Sequence, residues 1–434
     1  MPMTLNHLAA EILLEVISYA SPLDLLSLST VSRLFHSVAT KFLYRHIELR
    51  SFRRVFRCCT ALARAGNEDA ALAVRTLSFD FFGQSILNPP RPGSDPSTLF
   101  APFFRLINAA LSKTTLLRSL VLRLPHDAHG ICLSQCTFPS LTHYGATFTD
   151  GGDFLERHPQ IVNITVLNDG SGVRAFNETV LPRLAVFSGP AEMVTRIVPG
   201  RPVHCAKLWW PLRAWVQTQG DMESDSWDTD AVIAALSQSN APQGVAALEN
   251  LFLDWPPLHV LTSLATSLNL RALFIHSRHI SYEAYQSFLT KLGAVLPQFT
   301  QLNELGVNFL PLIGQAEGKQ LAEEFNTIRH WVTLCPTLNV CALQSSIKWI
   351  RFRMTSPSYW IPLHLDPKIF NRVFTNTLWR EAFESRQAWD SFHHNTILLF
   401  AHLHPGTALF AAIYPHVVMV EALTEVVRPG LPES

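Results

Sequence analysis

The sequence has no surplus of charge of either sign. Its 34 lysines and arginines balance 34 aspartates and glutamates, and only 16% of its residues are charged. Proteins that bind nucleic acid or anionic membranes usually carry a basic surplus, so we predict neither partner. Because 48% of the 434 residues are hydrophobic, we expect a folded chain, which is long enough to bury a sizeable core or to build an array with no single core.

Signals for export and for membrane insertion are also missing. The first residues, MPMTLNHLAAE, contain no basic stretch followed by an apolar core, so no signal peptide is predicted. Seven cysteines are an odd number, which does not suit a secreted disulfide framework. The most apolar late stretch, residues 396–420, is broken by histidines and prolines and is interpreted as buried or interfacial. These features favour the cytosol or the nucleus, where thiols stay reduced.

Motifs of catalysis and of cofactor binding are lacking as well. The chain has no phosphate-binding glycine loop, no Gly-x-Ser-x-Gly elbow, no His-Glu-x-x-His pair and no kinase motif set. We therefore predict no enzymatic activity and no cofactor, although a catalytic site can assemble from distant residues without a motif.

Two clusters of potential metal ligands occur, and neither predicts a site. They are His126, His129, Cys132 and Cys136, and His393, His394, His402 and His404. The first cluster has a spacing that zinc accepts but no second ligand pair, and the second has no acidic ligand nearby. Ordinary loop and core residues are the favoured interpretation, so no bound metal is predicted.

Residues 5–49 have the pattern of three short apolar helices. In the first, Leu8, Ile12 and Val16 recur at helical spacing. The second begins at Ser21-Pro22-Leu23-Asp24, where the serine can cap free amides, the proline fits the first turn and the aspartate favours the positive end of the helix dipole. The third spans residues 33–44. Three helices this apolar cannot bury all of their side chains among themselves, so a partner protein or the following domain is expected to cover the remainder.

This pattern resembles the F-box family, in which Leu-Pro-x-Glu-Ile, Leu-Ser-Pro-x-Asp-Leu and Leu-x-x-Val-Ser-Arg follow one another. The matching residues here are Leu8, Glu11, Ile12, Ser21, Pro22, Asp24, Leu25, Leu28, Val31, Ser32 and Arg33. Ala9 stands where the family prefers proline, and Phe35 falls near a position that is often tryptophan. The resemblance covers about a tenth of the chain. The alternative is a three-helix cap on the domain that follows.

The resemblance implies a function and a set of partners. An F-box binds a Skp-family adaptor and through it a cullin, so the chain would be the substrate receptor of a ubiquitin ligase of the SCF (Skp–cullin–F-box) type. The residues that the resemblance assigns to adaptor contact are Leu8, Glu11, Ile12, Pro22, Leu25, Leu28, Val31 and Phe35. A protein substrate, whose identity is unknown, would bind elsewhere on the chain. The alternatives are a scaffold that acts outside a ligase and, less favoured, an uncharacterised enzyme.

Across residues 70–365 a short pattern recurs, apolar-x-x-apolar-x-apolar. Its copies begin at Val74, Leu117, Leu141, Ile161, Leu184, Leu248, Leu270, Leu302 and Leu338. The last two apolar positions alternate as in a short half-buried strand. Four copies have a proline two residues ahead, Pro139, Pro159, Pro182 and Pro336, which is expected to end the preceding element and begin an extended segment.

Apolar helical faces separate the predicted strands. The clearest are Phe100, Phe103, Phe104, Ile107 and Leu111; Tyr282, Tyr285, Phe288, Leu289 and Leu292; and Leu321, Phe325, Ile328, Trp331 and Val332. Strand-plus-helix units predict an α/β fold in which the three-helix F-box precedes an irregular leucine-rich-repeat-like solenoid, as in the large family of fungal F-box proteins. The alternative is a single α/β domain with one mixed sheet. Residues 88–96 and 217–230 are predicted as exposed loops, and the tail at 366–434 has no interpretable pattern.

Overall fold

The structure is a computed structural model that describes residues 10–80, 96–124, 128–147, 152–167, 177, 179–210, 229–252, 256–277, 282–309, 318–343, 348–352 and 359–363. The predicted tail at 366–434 lies outside the described residues, as do Leu8 and nearly all of the two predicted loops. The chain divides into two compact units, Met1–Val245 and Ala246–Ser434.

The first unit begins with three helices that share one small core. They are α1 (Ala10–Ser18), α2 (Pro22–Leu28) and α3 (Arg33–Leu43), as the apolar spacing predicts. The buried core residues are Leu13, Ile17, Leu25, Phe35, Val38 and Ala39. We refer to these three helices as the N-terminal module. A short strand, β1 (His46–Leu49), which the sequence does not predict, follows after only two residues.

Helices and strands alternate through the rest of the first unit. The helices are α4 (Phe52–Ala63), α5 (Glu68–Ala73), α6 (Pro96–Leu111), α7 (Ala128–Leu133), α8 (Gly152–Glu156), α9 (Ala191–Ile197) and α10 (Thr229–Ser237). The strands are β2 (Thr76–Asp80), β3 (Ser119–Arg123), β4 (His143–Ala146), β5 (Asn163–Val166), β6 (Val186–Pro190) and β7 (Cys205–Trp209). From β1 to β7 each strand pairs in parallel with the next one along the chain.

The second unit repeats this alternation and ends in antiparallel strands. Its helices are α11 (Leu258–Ser267), α12 (Tyr282–Val295) and α13 (Gly318–Leu334), with a 3₁₀ turn at Leu296–Gln298. Its strands are β8 (Ala247–Phe252), β9 (Ala272–Ser277), β10 (Glu304–Phe309), β11 (Val340–Ala342), β12 (Lys348–Phe352) and β13 (Tyr359–Leu363). Strands β8 to β11 are parallel neighbours in chain order, whereas β11, β12 and β13 form an antiparallel meander. The fold is therefore mixed α/β with mostly parallel pairing.

The apolar pattern keeps the same register from strand to strand. Leu77 pairs with Leu120, and Leu120 pairs with Tyr144. In eight of the nine predicted copies the strand has the predicted register. The first apolar residue of each of these copies lies just ahead of its strand and is buried: Val74, Leu117, Leu141, Ile161, Leu184, Leu270, Leu302 and Leu338. Of the predicted helical faces, the buried members are Phe103, Phe104, Ile107 and Leu111, Tyr285, Phe288, Leu289 and Leu292, and Phe325, Ile328 and Trp331. The prediction of alternating strands and helices is confirmed for these residues.

The structure corrects one predicted copy. Leu248 pairs with Leu273, which is the second position of its own copy, so the pattern before β8 is Val245-x-x-Leu248-x-Asn250. The predicted start at Leu248 was wrong by three residues, because Leu248 and Leu251 happen to have the spacing of the first two positions while Asn250, the true third position, is polar. One copy, Val203-x-x-Ala206-x-Leu208, went unrecognised although all three residues are buried.

The prolines ahead of the strands lie inside tight turns. The N–H of Leu141 donates to the carbonyl of Phe138 (3.0 Å), across Pro139, and the N–H of Leu184 donates to the carbonyl of Leu181 (3.1 Å), across Pro182. Proline at the second position of such a turn is already near the required φ. The same bond closes the turns across Pro159 and Pro336. The predicted end of one element and start of the next strand is therefore a β-turn at each of these prolines.

One backbone hydrogen-bond motif recurs where the parallel strands begin. The carbonyl of Arg45, just before β1, accepts from the N–H of Arg75 (2.9 Å) and from that of Thr76 (3.0 Å). The carbonyls of the equivalent residues accept the same pair of bonds from the next strand: Arg75, Arg118, Thr142, Val162 and Ala185 in the first unit, and Ala246, Arg271 and Asn303 in the second. The starts of β2 to β7 and of β9 to β11 are thus each positioned by the strand before them.

Candidate partner-binding site

The N-terminal module owes its local geometry to two capped helices. At the start of α2 the N–H of Asp24 donates to Ser21 Oγ (3.2 Å), and the N–H of Ser21 donates to Asp24 Oδ2 (3.1 Å), which together form a capping box. The Ser21 hydroxyl also donates to Asp24 Oδ2 (2.6 Å), and this bond, followed by the one from the Ser21 N–H, lowers the pKa of Asp24. At the start of α3 the N–H of Phe35 donates to Ser32 Oγ (3.2 Å). Ser21, Pro22 and Asp24 therefore have the capping roles that the sequence predicts.

Many large apolar side chains of the module are exposed. Val31 is 66% exposed and Leu23 75%, although both are large aliphatic residues. The full set, which we call the apolar surface, is Ile12, Leu14, Val16, Tyr19, Leu23, Leu26, Val31 and Leu34. Scattered exposed leucines are ordinary, but eight large apolar side chains in three short helices and the turns that join them form a local concentration. Such a concentration is typical of a surface that binds another protein.

The predicted adaptor-contact residues differ in how far their side chains are exposed. Ile12, Pro22 and Val31 are exposed, so their side chains are available to a partner. Leu28 is partly buried and packs against the core. Leu25 and Phe35 are buried in that core, where they support the fold of the module and can influence a partner only through it. Leu8 and the side chain of Glu11 lie outside the part of the chain that the structure describes.

The contact residues predicted from the resemblance include only part of the apolar surface. Leu14, Leu23 and Leu26 are exposed but are not among the predicted contact residues. The available signal was that α1 and α2 carry apolar residues on more than one face, with Leu13 buried next to the exposed Ile12 and Leu14. A helix with two apolar faces does not reveal which one packs inside.

The module is joined directly to the parallel strands. Only Tyr44 and Arg45 lie between α3 and β1, and α3 packs against α5. β1 then pairs with β2 along its whole length, from His46 opposite Thr76 to Leu49 opposite Phe79. The module is thus part of the first compact unit, with no linker between it and the first strand.

The cysteines of the considered metal cluster are packing residues. Cys132 Sγ donates to the carbonyl of Phe104 (3.7 Å), and Cys136 Sγ donates to the carbonyl of Cys132 (3.5 Å). Burial raises the pKa of Cys136 to about 11 and that of Cys132 still further, which disfavours the thiolate that a metal requires. The side chains of His126 and His129 lie outside the described residues. Within the described ranges no three His, Cys, Asp or Glu side chains are grouped to hold a metal ion.

None of the described helices is both long and apolar enough to cross a membrane. Comparison with curated proteins gives no match for this chain. Comparison with protein families gives a match to residues 6–50, which contain the capped helices, the apolar surface and β1. The family is described as F-box-like, so the N-terminal segment of this protein is an F-box-like domain.

Proposed function

We propose that this protein is the substrate receptor of an SCF-type ubiquitin ligase. The F-box-like domain binds a Skp-family adaptor, and through it a cullin, while the strand-and-helix units bind a protein substrate. F-box domains generally bind Skp-family adaptors, so the match at residues 6–50 supports the adaptor-binding half of this function.

The apolar surface is the observation that carries the proposal. Removing its leucines, isoleucine and valines from water would stabilise a complex by about 25 cal/mol for each Å² buried. Of the predicted contact residues, Ile12, Pro22 and Val31 are exposed and can contribute directly. Leu23 and Leu26 extend the same surface on α2.

The remaining strands and helices are proposed to be degenerate leucine-rich-repeat-like units of the kind found in fungal F-box proteins. Two observations support this interpretation: the strands are parallel neighbours in chain order from β1 to β7 and from β8 to β11, and within these two runs each later strand begins with two hydrogen bonds to one carbonyl just ahead of the strand before it. Repeats of this kind present extended surfaces that suit protein partners.

The proposed role is positional. A receptor that holds a substrate beside a ubiquitin-charged enzyme raises the effective concentration of the substrate lysine near the thioester. The chain itself supplies no catalytic residue in this mechanism. The pairing of β1, the last element of the F-box-like domain, with β2 favours this role, because a short, stiff connection restricts where a bound substrate can lie.

Co-purification with a Skp-family adaptor tests the proposal. The Leu23→Asp, Val31→Asp variant changes two exposed side chains and leaves the core of the module intact. Burying a carboxylate in an apolar contact is unfavourable, so we expect adaptor affinity to fall by about a hundredfold or more. Circular dichroism should show an unchanged fold. Leu258→Asp, at an exposed leucine of the second unit, is the matched control and should bind the adaptor as the wild type does.

A wild-type chain that is stable alone and ignores the adaptor would overturn the proposal, and the helices would then be a cap. A second measurement separates a ligase receptor from a scaffold outside a ligase. Cullin and ubiquitinated proteins recovered with the adaptor complex support the receptor. Adaptor without cullin would favour the scaffold.

A further inference from the structure

Three arginines occupy equivalent positions just before consecutive strands. Arg45 precedes β1, Arg75 precedes β2 and Arg118 precedes β3, and the main chains of the three are joined by the recurring carbonyl bonds. Since neighbouring strands lie about 4.8 Å apart, the first and third α-carbons are about 10 Å apart. We call these residues the arginine row.

The arginine row concentrates positive charge that described carboxylates do not neutralise. Arg45 and Arg118 are exposed, and neither forms an ion pair with any carboxylate that the structure describes. Arg75 is half-buried, and its Nη1 donates to the carbonyls of Leu72 (2.6 Å) and Val74 (3.1 Å). Burial lowers the pKa of Arg75, and the positive charges of Arg118 and Arg45 lower it further. The positive charges of the three arginines therefore repel one another, and an anionic ligand bound beside them would reduce this repulsion.

Exposed leucines lie two or three residues ahead of two of these arginines in the sequence. Leu72, whose carbonyl holds Arg75, is 40% exposed, and Leu116, two residues before Arg118, is 41% exposed. Arginines combined with exposed aliphatic side chains are typical of protein interfaces, in which arginine is enriched. Nucleic acid is less well matched, because the chain as a whole has no basic surplus.

We propose that the arginine row, together with Leu72 and Leu116, binds an acidic segment of a partner protein that also carries aliphatic side chains. Carboxylates of the segment pair with the guanidinium groups, and the aliphatic side chains pack on the two leucines. This proposal uses no residue of the apolar surface, so it does not depend on adaptor binding.

The test measures binding of a fluorescent peptide of glutamate and leucine to the full chain, without any adaptor. The decisive variant is Arg45→Gln, Arg118→Gln, because both side chains are exposed and unpaired among the described residues, while their carbonyls still make the strand contacts. We expect at least about tenfold weaker binding than in the wild type. We also expect the wild-type affinity to fall as salt is added, because salt screens exposed charge pairs.

The controls separate a specific site from general charge attraction. Arg105→Gln removes one exposed arginine from α6 and should leave the affinity within about twofold of the wild type. A peptide in which glutamine replaces every glutamate should bind far more weakly than the acidic one. The proposal is overturned if both peptides bind equally. Equal affinities for the double variant and for Arg105→Gln would overturn it too.

Discussion

His158 shows how a single buried polar residue joins two turns of the first unit. Its Nε2 accepts from the N–H of Phe138 (3.0 Å), and its Nδ1 lies 2.6 Å from the carbonyl of Phe154. A carbonyl can only accept, so Nδ1 carries the proton and the ring is neutral. The ring also stacks on Phe154, at 4.1 Å between centroids. Burial is the main cause that lowers the pKa of His158.

The stability of the protein should therefore depend on pH through His158. Because its pKa is lower in the folded than in the unfolded state, the unfolded chain takes up the proton first as the pH falls. The contribution of His158 to the free energy of unfolding is fully present above pH 6.5, the pKa of the unfolded histidine. It is lost as the pH falls through the lower pKa of the folded state. The slope from this group is at most about 1.4 kcal/mol per pH unit.

Urea unfolding between neutral and mildly acidic pH measures this slope. We expect His158→Gln to be less stable than the wild type at neutral pH and to lose less stability on acidification. Equal slopes for the two proteins would show that His158 does not control the pH dependence.

Buried polar residues are also where the sequence is least informative. His158 and Arg201 are both buried, and their partners are mainly backbone carbonyls, which no side-chain pattern reveals. The guanidinium of Arg201 donates to the carbonyls of Val180 (2.7 Å) and Ile197 (2.6 Å), residues far apart in the chain. By contrast, the cap at Ser21 is local, so the residue types alone predicted it correctly.

At the scale of elements, the close packing of β9 against β10 depends on one glycine. Gly306 of β10 lies opposite Phe274 of β9. A β-carbon at residue 306 would overlap Cδ1 of Phe274 and lie 3.1 Å from its Cε1, so the aromatic ring occupies the space that a side chain would need. Glycine at this position allows the ring to lie across the neighbouring strand.

Gly306→Ala should destabilise the second unit by about 1–3 kcal/mol, because the ring must move to admit the methyl group. In the background of Phe274→Ala the same change should cost much less, so the two effects should not be additive. Denaturant unfolding of the four proteins measures this coupling. Gly130→Ala is the matched control, because a β-carbon there meets nothing within 4 Å. Additive effects would show that the ring is not the obstacle.

The sequence predicted that strands and helices alternate more reliably than it predicted the residue at which each strand pattern begins. Copies with aliphatic or aromatic residues at all three positions, such as the one beginning at Val74, were placed correctly. The copy at Val203 was missed because Ala206 is too small to stand out, and the copy at Val245 was shifted because Asn250 interrupts the pattern. The apolar surface was only partly predicted, since α1 and α2 are apolar on both their inner and outer faces.

On the scale of the whole molecule, the F-box-like domain and the first strands should open as one cooperative structure. The N–H groups of Arg75 and Thr76 donate to the carbonyl of Arg45, which belongs to the F-box-like domain, and β1 pairs with β2. Hydrogen exchange should therefore give β1 and β2 similar protection. Val38→Ala would leave a cavity in the core of the module, so it should raise the rate of amide hydrogen exchange in both strands. Phe56→Ala, at an exposed ring, should not. Faster exchange confined to α1, α2 and α3 would contradict a shared opening.

The position of β1 has a practical consequence for the boundary at residue 50. A fragment that stops there keeps the four-residue strand β1 but loses the strand with which β1 pairs, Thr76–Asp80. Unpaired strand edges template association with other chains, so such a fragment would tend to aggregate. The stretch that sequence similarity identifies is a unit of inheritance, whereas the unit of folding continues past it.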